Sequence, residues 1–361
     1  MKILILANND VGLYKFRKEL LEELVKEHEV IVCLPNGEWI ESIKQLGCKY
    51  IQCEFNRRGM NPISELKLIQ FYRKTIRDVK PDIVFTYTIK PNSYGGMVCA
   101  KLGVPYIANV TGLGTSIENG GLTQKITLTL YKRGLRKAKM VFFQNTYNCE
   151  FMVNKDIVKG KYQVLPGSGV NLNENCYEAY PSEDDGIKFL FVGRIMKDKG
   201  IEEYLYCAKK IHELHPECTF DIIGAYDEEA YQSELEKYEK DGIIKAFGHQ
   251  KDVHSFMKSH HVLIHPSYHE GLSNVLLEAA SCGRPVIASD IPGCKETFDE
   301  GISGIGFVPR SSEALVEAVD KLLALSAKER EQMGMKGREK IQKEFDRNIV
   351  INRYLEEIKK S

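Results

Sequence analysis

Short apolar runs alternate with longer stretches of helical spacing along most of the chain. Five runs, at residues 2–7, 30–34, 83–86, 106–110 and 140–144, are rich in Val, Ile and Phe. Five more follow at 187–192, 219–223, 243–247, 262–265 and 286–289. Strands buried on both faces of a parallel sheet need such runs. Between them, residues 14–26, 64–79, 201–214 and 272–282 carry apolar side chains at helical spacing. Strand–helix alternation predicts right-handed βαβ units and doubly wound parallel sheets, hence an α/β fold.

The alternation lapses between residues 165 and 186. There Pro166-Gly167-Ser168-Gly169 and the stretch from Pro181 to Gly186 are turn-rich and poor in apolar side chains. A length of 361 residues leaves room for two domains. The pattern therefore predicts an N-terminal Rossmann-like domain over 1–165. A linker and a second Rossmann-like domain follow over 166–345, and a final helix over 346–361. That last segment places Ile349, Ile351, Tyr354, Leu355 and Ile358 in a helical pattern with no strand after it to serve. It is predicted to cross back onto the N-terminal domain.

Composition narrows the classes. The chain is 43% hydrophobic and 28% charged, enough for two compact cores without disulfide support. Fifty basic and fifty acidic side chains cancel, which argues against a nucleic-acid partner. None of the ten cysteines forms a C-x-x-C pair or a Cys/His cluster with zinc spacing. Several follow apolar residues, as in Val32-Cys33 and Val98-Cys99, and read as buried free thiols suited to a reducing cytoplasm. The first apolar run is too short for a signal-peptide core and reads as a strand. No uninterrupted apolar run reaches the roughly 18 residues that a membrane-spanning helix needs.

Several stretches offer chemistry. Val192-Gly193-Arg194, then Lys199-Gly200, follow a predicted strand, and ligands of such sheets bind beyond the carboxyl ends of strands. Arg194 and Lys199 are either two cations converging on one diphosphate or two solvated surface charges. The stretch from His269 to Ala279 follows the strand at 262–265. Gly271, Leu272, Ser273 and Asn274 would form a helix N-terminus, whose free N–H groups attract anions.

Glu270 lies just before that helix and Glu278 within it. If both were helical they would sit roughly 12 Å apart. A glycosidase pair is about 5–9.5 Å apart, so the two suit opposite ends of one extended ligand. The plainer alternative is a helix-dipole partner and a surface carboxylate.

The first turn, Ala7 to Gly12, has one glycine where a dinucleotide fingerprint needs three, which disfavours NAD and FAD. Gly12 would let a second substrate approach the backbone, or belongs to an ordinary turn. The loop Thr111-Gly112-Leu113-Gly114 is open to the same two readings. Lys132 to Lys139 hold five cations and no acid; with Arg57 and Arg58 they form either a basic patch facing an anionic membrane or a solvated face.

Together these residues resemble the retaining glycosyltransferases of family 4, with the GT-B fold of two Rossmann-like domains facing a cleft. The resemblance spans the chain. Glu270 and Glu278 match that family's E-x7-E element, and Gly193-Arg194 with Lys199-Gly200 match its diphosphate loop. Glu278 to Asp290 is similar to the helix–strand continuation that follows. Thr86-Tyr87-Thr88-Ile89-Lys90-Pro91-Asn92 and Asn109 to Gly114 resemble the bacterial branch that builds capsules, lipopolysaccharide and lipid-linked glycans. One departure stands out: many members carry an active-site His where this chain has Asn109-Val110-Thr111-Gly112.

The resemblance implies transfer, with retention, of a hexose or N-acetylhexosamine from a UDP-sugar to a polyprenyl-diphosphate-linked or oligosaccharide acceptor. Arg194 and Lys199 would neutralise the diphosphate, and Glu270 would hold the transferred sugar. Gly193, Gly271, Leu272, Ser273, Asn274 and Glu278 would bind the donor, Glu278 through its ribose. Gly12, Thr111 and Gly112 would bind the acceptor. No cofactor and no metal ion are expected, and the enzyme would work in the cytoplasm, on the inner face of the bacterial plasma membrane. The competing expectations are a GT-B-fold sugar-nucleotide epimerase, a non-catalytic nucleotide-sugar binding protein and, opposed by the missing glycines, a Rossmann dehydrogenase.

Overall fold

A computed structural model describes all residues except 55–60, 114–116, 118–119 and 361. Contacts divide the chain into two units: Met1–Ser168 with Asn348–Ser361, and Gly169–Arg347.

The first unit is built on strands β1 (Lys2–Leu6), β2 (Glu29–Leu34), β3 (Lys49–Gln52), β4 (Ile83–Tyr87), β5 (Tyr106–Val110), β6 (Met140–Phe143) and β7 (Tyr162–Val164). They form a seven-stranded parallel sheet in the order β3-β2-β1-β4-β5-β6-β7. The second unit carries β8 (Lys188–Val192), β9 (Thr219–Ile223), β10 (Ile244–Ala246), β11 (Val262–His265), β12 (Val286–Ser289) and β13 (Gly304–Phe307). Their order is β10-β9-β8-β11-β12-β13, again parallel.

The apolar runs become strands because both of their faces are covered. In β1, Ile3 and Ile5 enter one core and Leu4 and Leu6 another, all fully buried. In β8, Phe189 and Phe191 pack on one side and Leu190 on the other. The helices follow from stripe and cap together. The Asp10–Glu27 helix starts where the Asn9 side chain accepts the Gly12 N–H at 2.6 Å. The Ala327–Glu344 helix opens with a capping box of Ser326 and Glu329. The Arg347–Lys359 helix buries Val350, Ile351, Tyr354 and Ile358 in the core of β1 and β4, with the Tyr354 ring 5.6 Å from Phe85.

Three strands lie outside the sequence-predicted runs: β3, β7 and β13. Each is at a sheet edge or next to no further strand, so one side of its ladder has no neighbour and its sequence need not be continuously apolar. Tyr162 and Val164 in β7 are exposed, and β13 reads Gly-Ile-Gly-Phe.

The irregular segment after Gly169 is held to the second unit by buried bonds. Arg330 grips Glu183 with two nitrogens, at 2.8 and 2.5 Å. Arg284, 1% exposed, donates to the carbonyls of Met257 and Ala179 at 2.8 Å each. Gly283-Arg284-Pro285 of the E-x7-E continuation thus fastens this segment.

Candidate active site

In each sheet the strand order reverses direction at one place, and loops leaving the strand ends there splay apart to form a crevice. In the second unit that place is between β8 and β11, paired at Val262↔Phe189 and Leu263↔Leu190. The loop after β8 carries Gly193, Arg194 and Lys199; the loop after β11 carries Glu270.

The two loops are locked together. Gly200 has φ +72°, and a Cβ there would lie 2.1 Å from the Pro266 carbonyl oxygen. Only glycine permits so close an approach. The Tyr268 N–H donates to the Asp198 carbonyl at 2.9 Å. Lys199 Nζ then reaches Glu270 Oε1 at 2.5 Å, with Ser267 Oγ 3.5 Å away. On the far side of Glu270, the Pro292-Gly293 turn presses in: a Cβ on Gly293 would lie 2.8 Å from the Glu270 carbonyl oxygen.

A third group joins this pair. His265, 3% exposed at the end of β11, places Nε2 2.9 Å from the same Oε1. An ionised carboxylate only accepts, so the Nε2 nitrogen carries the proton in this pairing. Its Nδ1 is buried and has no partner among the described residues. Burial alone would raise the Glu270 carboxyl, but the Lys199 ammonium and the His265 hydrogen bond outweigh it. The group is held well below the usual carboxylate range and is an anion at neutral pH.

Arg194 takes a different partner. It is half exposed and pairs with Asp227 Oδ2 at 3.1 Å. A Cβ at Gly193 would meet only the Phe191 ring, at 3.5 Å. The helix after Glu270 spans Asn274–Ser281 with Ser273 as its N-cap. It thus starts two residues later than the pattern at 272–282 predicts, and Gly271 and Leu272 precede it. The Ser273 hydroxyl is buried, makes no capping bond and has no partner among the described residues. Glu278 is half-buried one turn after Asn274. One end of this helix therefore gathers an anion, a cation and an unpartnered hydroxyl.

The first-unit candidates stand apart from that cluster in the sequence of elements. Gly12 lies in the first turn of the Asp10–Glu27 helix, and its N–H is taken by Asn9. Thr111 and Gly112 follow β5 and are half-buried, while Gly114 lies outside the described residues. So do Arg57 and Arg58. Asn109 is a buried brace: its N–H donates to Asn92 Oδ1 at 3.3 Å, and its side chain donates to the Thr86 carbonyl at 3.0 Å. Thr86 Oγ1 donates to Asn92 Oδ1 at 2.6 Å. The Thr86–Asn92 and Asn109 stretches thus tie β4 to β5.

His265 and Asp227 were not singled out from sequence. His265 had one available signal, a titratable residue closing a four-residue apolar strand just before the carboxylate motif. Asp227 had none, since it pairs across a separation of 33 residues.

Residues 174–340 match the family model described as glycosyl transferases group 1, and residues 2–145 match the one described as glycosyl transferase 4-like. The chain is 26% identical to the N,N'-diacetylbacillosaminyl-diphospho-undecaprenol alpha-1,3-N-acetylgalactosaminyltransferase of Campylobacter jejuni, over 98% of this chain and 97% of that protein. It is 28% identical to the capsular polysaccharide biosynthesis glycosyltransferase CapM of Staphylococcus aureus, over 46% of this chain and 44% of that one. Among solved structures, Anabaena HepE in complex with UDP and glucose has a TM-score of 0.82 at 17% identity, covering all of both chains. The sucrose-phosphate synthase of Thermosynechococcus elongatus has a TM-score of 0.81 at 19% identity, covering 100% of this chain and 99% of that one. The fold is GT-B, with two parallel-sheet α/β domains.

Proposed function

The chain belongs to the group 1 glycosyltransferases, with a glycosyl transferase 4-like N-terminal half, and from that premise we propose that it transfers a hexose or N-acetylhexosamine from a UDP-sugar to a glycan on a polyprenyl diphosphate, with retention. The observation that carries this reading is the Lys199–Glu270–His265 cluster beside the Ser273 hydroxyl. The Campylobacter relative, named for an undecaprenol-diphosphate acceptor and an alpha linkage, supports the acceptor class. HepE, solved with UDP and glucose, supports the donor class.

In this reading the diphosphate lies between Arg194, Lys199 and the Ser273 N-cap, with amides at Gly271, Leu272 and Asn274 adding helix-terminus dipoles. Gly193 leaves room for the phosphates. Glu278 accepts from the ribose hydroxyls. Glu270 holds Lys199 and His265 on Oε1 and offers Oε2 to a hydroxyl of the sugar.

As the bond from the anomeric carbon to the diphosphate breaks, negative charge grows on the leaving oxygen. In this reading Arg194 and Lys199 neutralise it, and so stabilise the transition state more than the ground state. The acceptor oxygen bonds to the anomeric carbon from the same face, and its proton passes to a phosphate oxygen of the departing UDP. The two cations take the place of a metal ion. The acceptor belongs to the first unit, at Gly12 and at Thr111 and Gly112.

The test is transfer from UDP-N-acetylhexosamines and UDP-glucose to a polyprenyl-diphosphate sugar, with chelator present and the product anomer read by NMR. An alpha product at undiminished rate is expected. An inverted product, or activity lost to chelator and restored by magnesium or manganese, would refute the mechanism.

The same reading puts the enzyme on the inner surface of the bacterial plasma membrane. No helix among the described residues is long and apolar enough to cross a membrane. The Gly121–Leu135 helix exposes Leu122 and Ile126, then Lys132 and Arg133, with Arg136 and Lys137 exposed just beyond. Each cation near an anionic surface contributes about 1 kcal/mol, less at high salt. Flotation with anionic liposomes should fall when these four are neutralised; unchanged flotation would leave them a solvated face.

A further inference from the structure

Away from the donor groups, three side chains distant in sequence meet at one point. Cys176, Glu178 and His254 each offer one ligand atom, all within 4.8 Å of one another. The Cys176 Sγ lies 3.8 Å from His254 Nε2 and 3.7 Å from Glu178 Oε1. His254 Nε2 is 3.1 Å from that same oxygen. We propose that Cys176, Glu178 and His254 form a zinc-binding site, with water as the fourth ligand.

The geometry fits one face of a tetrahedron. Zinc bonds of about 2.3 Å to sulfur and about 2.0–2.2 Å to nitrogen and oxygen put ligand atoms about 3.3–3.7 Å apart. The three observed separations fall within about 0.2 Å of that range. A thiolate, an imidazole and one carboxylate oxygen suit zinc, whereas magnesium and calcium prefer oxygen ligands alone.

The surroundings suit a cation too. The other ring nitrogen of His254, Nδ1, lies 3.4 Å from Cys282 Sγ, the outer partner that a ligating imidazole needs. Cys282 is the C-cap of the Asn274–Ser281 helix, and the Glu178 N–H donates to its carbonyl at 3.2 Å. A helix C-terminus carries partial negative charge. Lys258 pairs with Glu178 through Oε2, at 3.1 Å, and leaves Oε1 to the metal.

Cys176 is the exposed one of the ten cysteines, which opens the fourth position to solvent. Binding replaces the thiol proton with the metal, and the proton goes to water. The ion would staple residues 176–178 to the first residue of the His254–Ser259 helix.

The test uses the full chain, stripped with chelator and desalted. One equivalent of zinc should bind in competition with a chromophoric chelator. Cobalt in its place should give a thiolate-to-cobalt charge-transfer band. Cys176→Ser and His254→Gln should each weaken zinc by at least the roughly 10–100-fold that loss of an outer partner costs. In the unmutated chain, saturating zinc should slow iodoacetamide alkylation of Cys176 at least about tenfold, because the bound thiolate is no longer free to attack. Circular dichroism and UDP binding of the variants should match the parent. Undiminished zinc affinity in Cys176→Ser, a cobalt spectrum without the thiolate band, or alkylation indifferent to zinc would each overturn the site.

Discussion

The two sheets reverse strand order in the same way, yet their polar bonds at the reversal run in different directions. In the second unit they run across it, from the loop after β8 to the loop after β11: Lys199 to Glu270, and Tyr268 to Asp198. In the first unit they run outward. Asp10, after β1, accepts the Trp39 N–H beyond β2 at 2.7 Å. Thr86 and Asn92, at the end of β4, are tied to β5 through Asn109. Across that reversal stands Arg17 over the Tyr87 ring, 5.4 Å away. One crevice is bridged by an ion pair between its two loops; at the other, the charged Asp10 and Arg17 are engaged by the Trp39 N–H and the Tyr87 ring, and no ion pair like Lys199–Glu270 joins the two loops among the described contacts. The same topology makes both places, and side chains alone separate their chemistry.

Breaking each bridge should therefore have a different kind of effect. Lys199→Ala should cost the largest amount, about 10²–10³ in kcat, as loss of a preorganised charge at the leaving group does. Its folding stability should fall far less than its activity. Asn92→Ala should do the reverse. It strips buried partners from Thr86 and Asn109, at about 1–3 kcal/mol for a group left unsatisfied. UDP affinity by calorimetry should be unchanged. If Asn92→Ala weakened UDP binding, the division between the units would be wrong.

The second comparison sets Glu270, before the Asn274–Ser281 helix, against Glu278 within it. Glu278→Ala should weaken UDP and UDP-sugar alike by about 1.5–3 kcal/mol, since a charge-assisted bond is lost from both. Glu270→Ala should leave UDP affinity nearly intact and reduce turnover, because UDP has no sugar to orient. Equal weakening of UDP by both would make Glu270 a support for the helix terminus.

The smallest effect is on pH dependence. The folded Glu270 carboxyl sits below its unfolded value, so the folded state binds fewer protons there. Its contribution is complete above the unfolded value, about 4.3, and is lost as pH falls from there toward the lower folded value. Urea midpoints measured between about pH 5 and about pH 2 should fall more steeply in the parent than in Glu270→Gln. Parallel slopes would mean that the Lys199 and His265 contacts do not hold the anion.

How much of this was legible depended on burial. β5, β9, β11 and β12 match their predicted runs end to end, as does the Ile201–Leu214 helix. Elements covered on both faces cannot vary their pattern, because every polar substitution there would leave an unsatisfied group. The edge strands β3, β7 and β13 escaped for the opposite reason: Lys49–Gln52 is exposed at both ends and only half-buried between, and needs no apolar run. The Glu270–Glu278 spacing, the Lys199-Gly200 pair and the turn chemistry before the donor helix are local, and local chemistry survives in one dimension. So does the amphipathic pattern of the final helix.

Folding alone decided which distant groups share an environment. His265 joins Glu270 because a strand end and a loop converge on one oxygen. Arg194 faces Asp227 because β8 and β9 are neighbours, with Val192 beside Ile223. Cys176 reaches His254 across 78 residues, where no spacing rule operates. Periodicity records what each residue needs from its own element, whereas a hydrogen bond or ligand set needs atoms within a few ångströms, and only the packed chain brings them there.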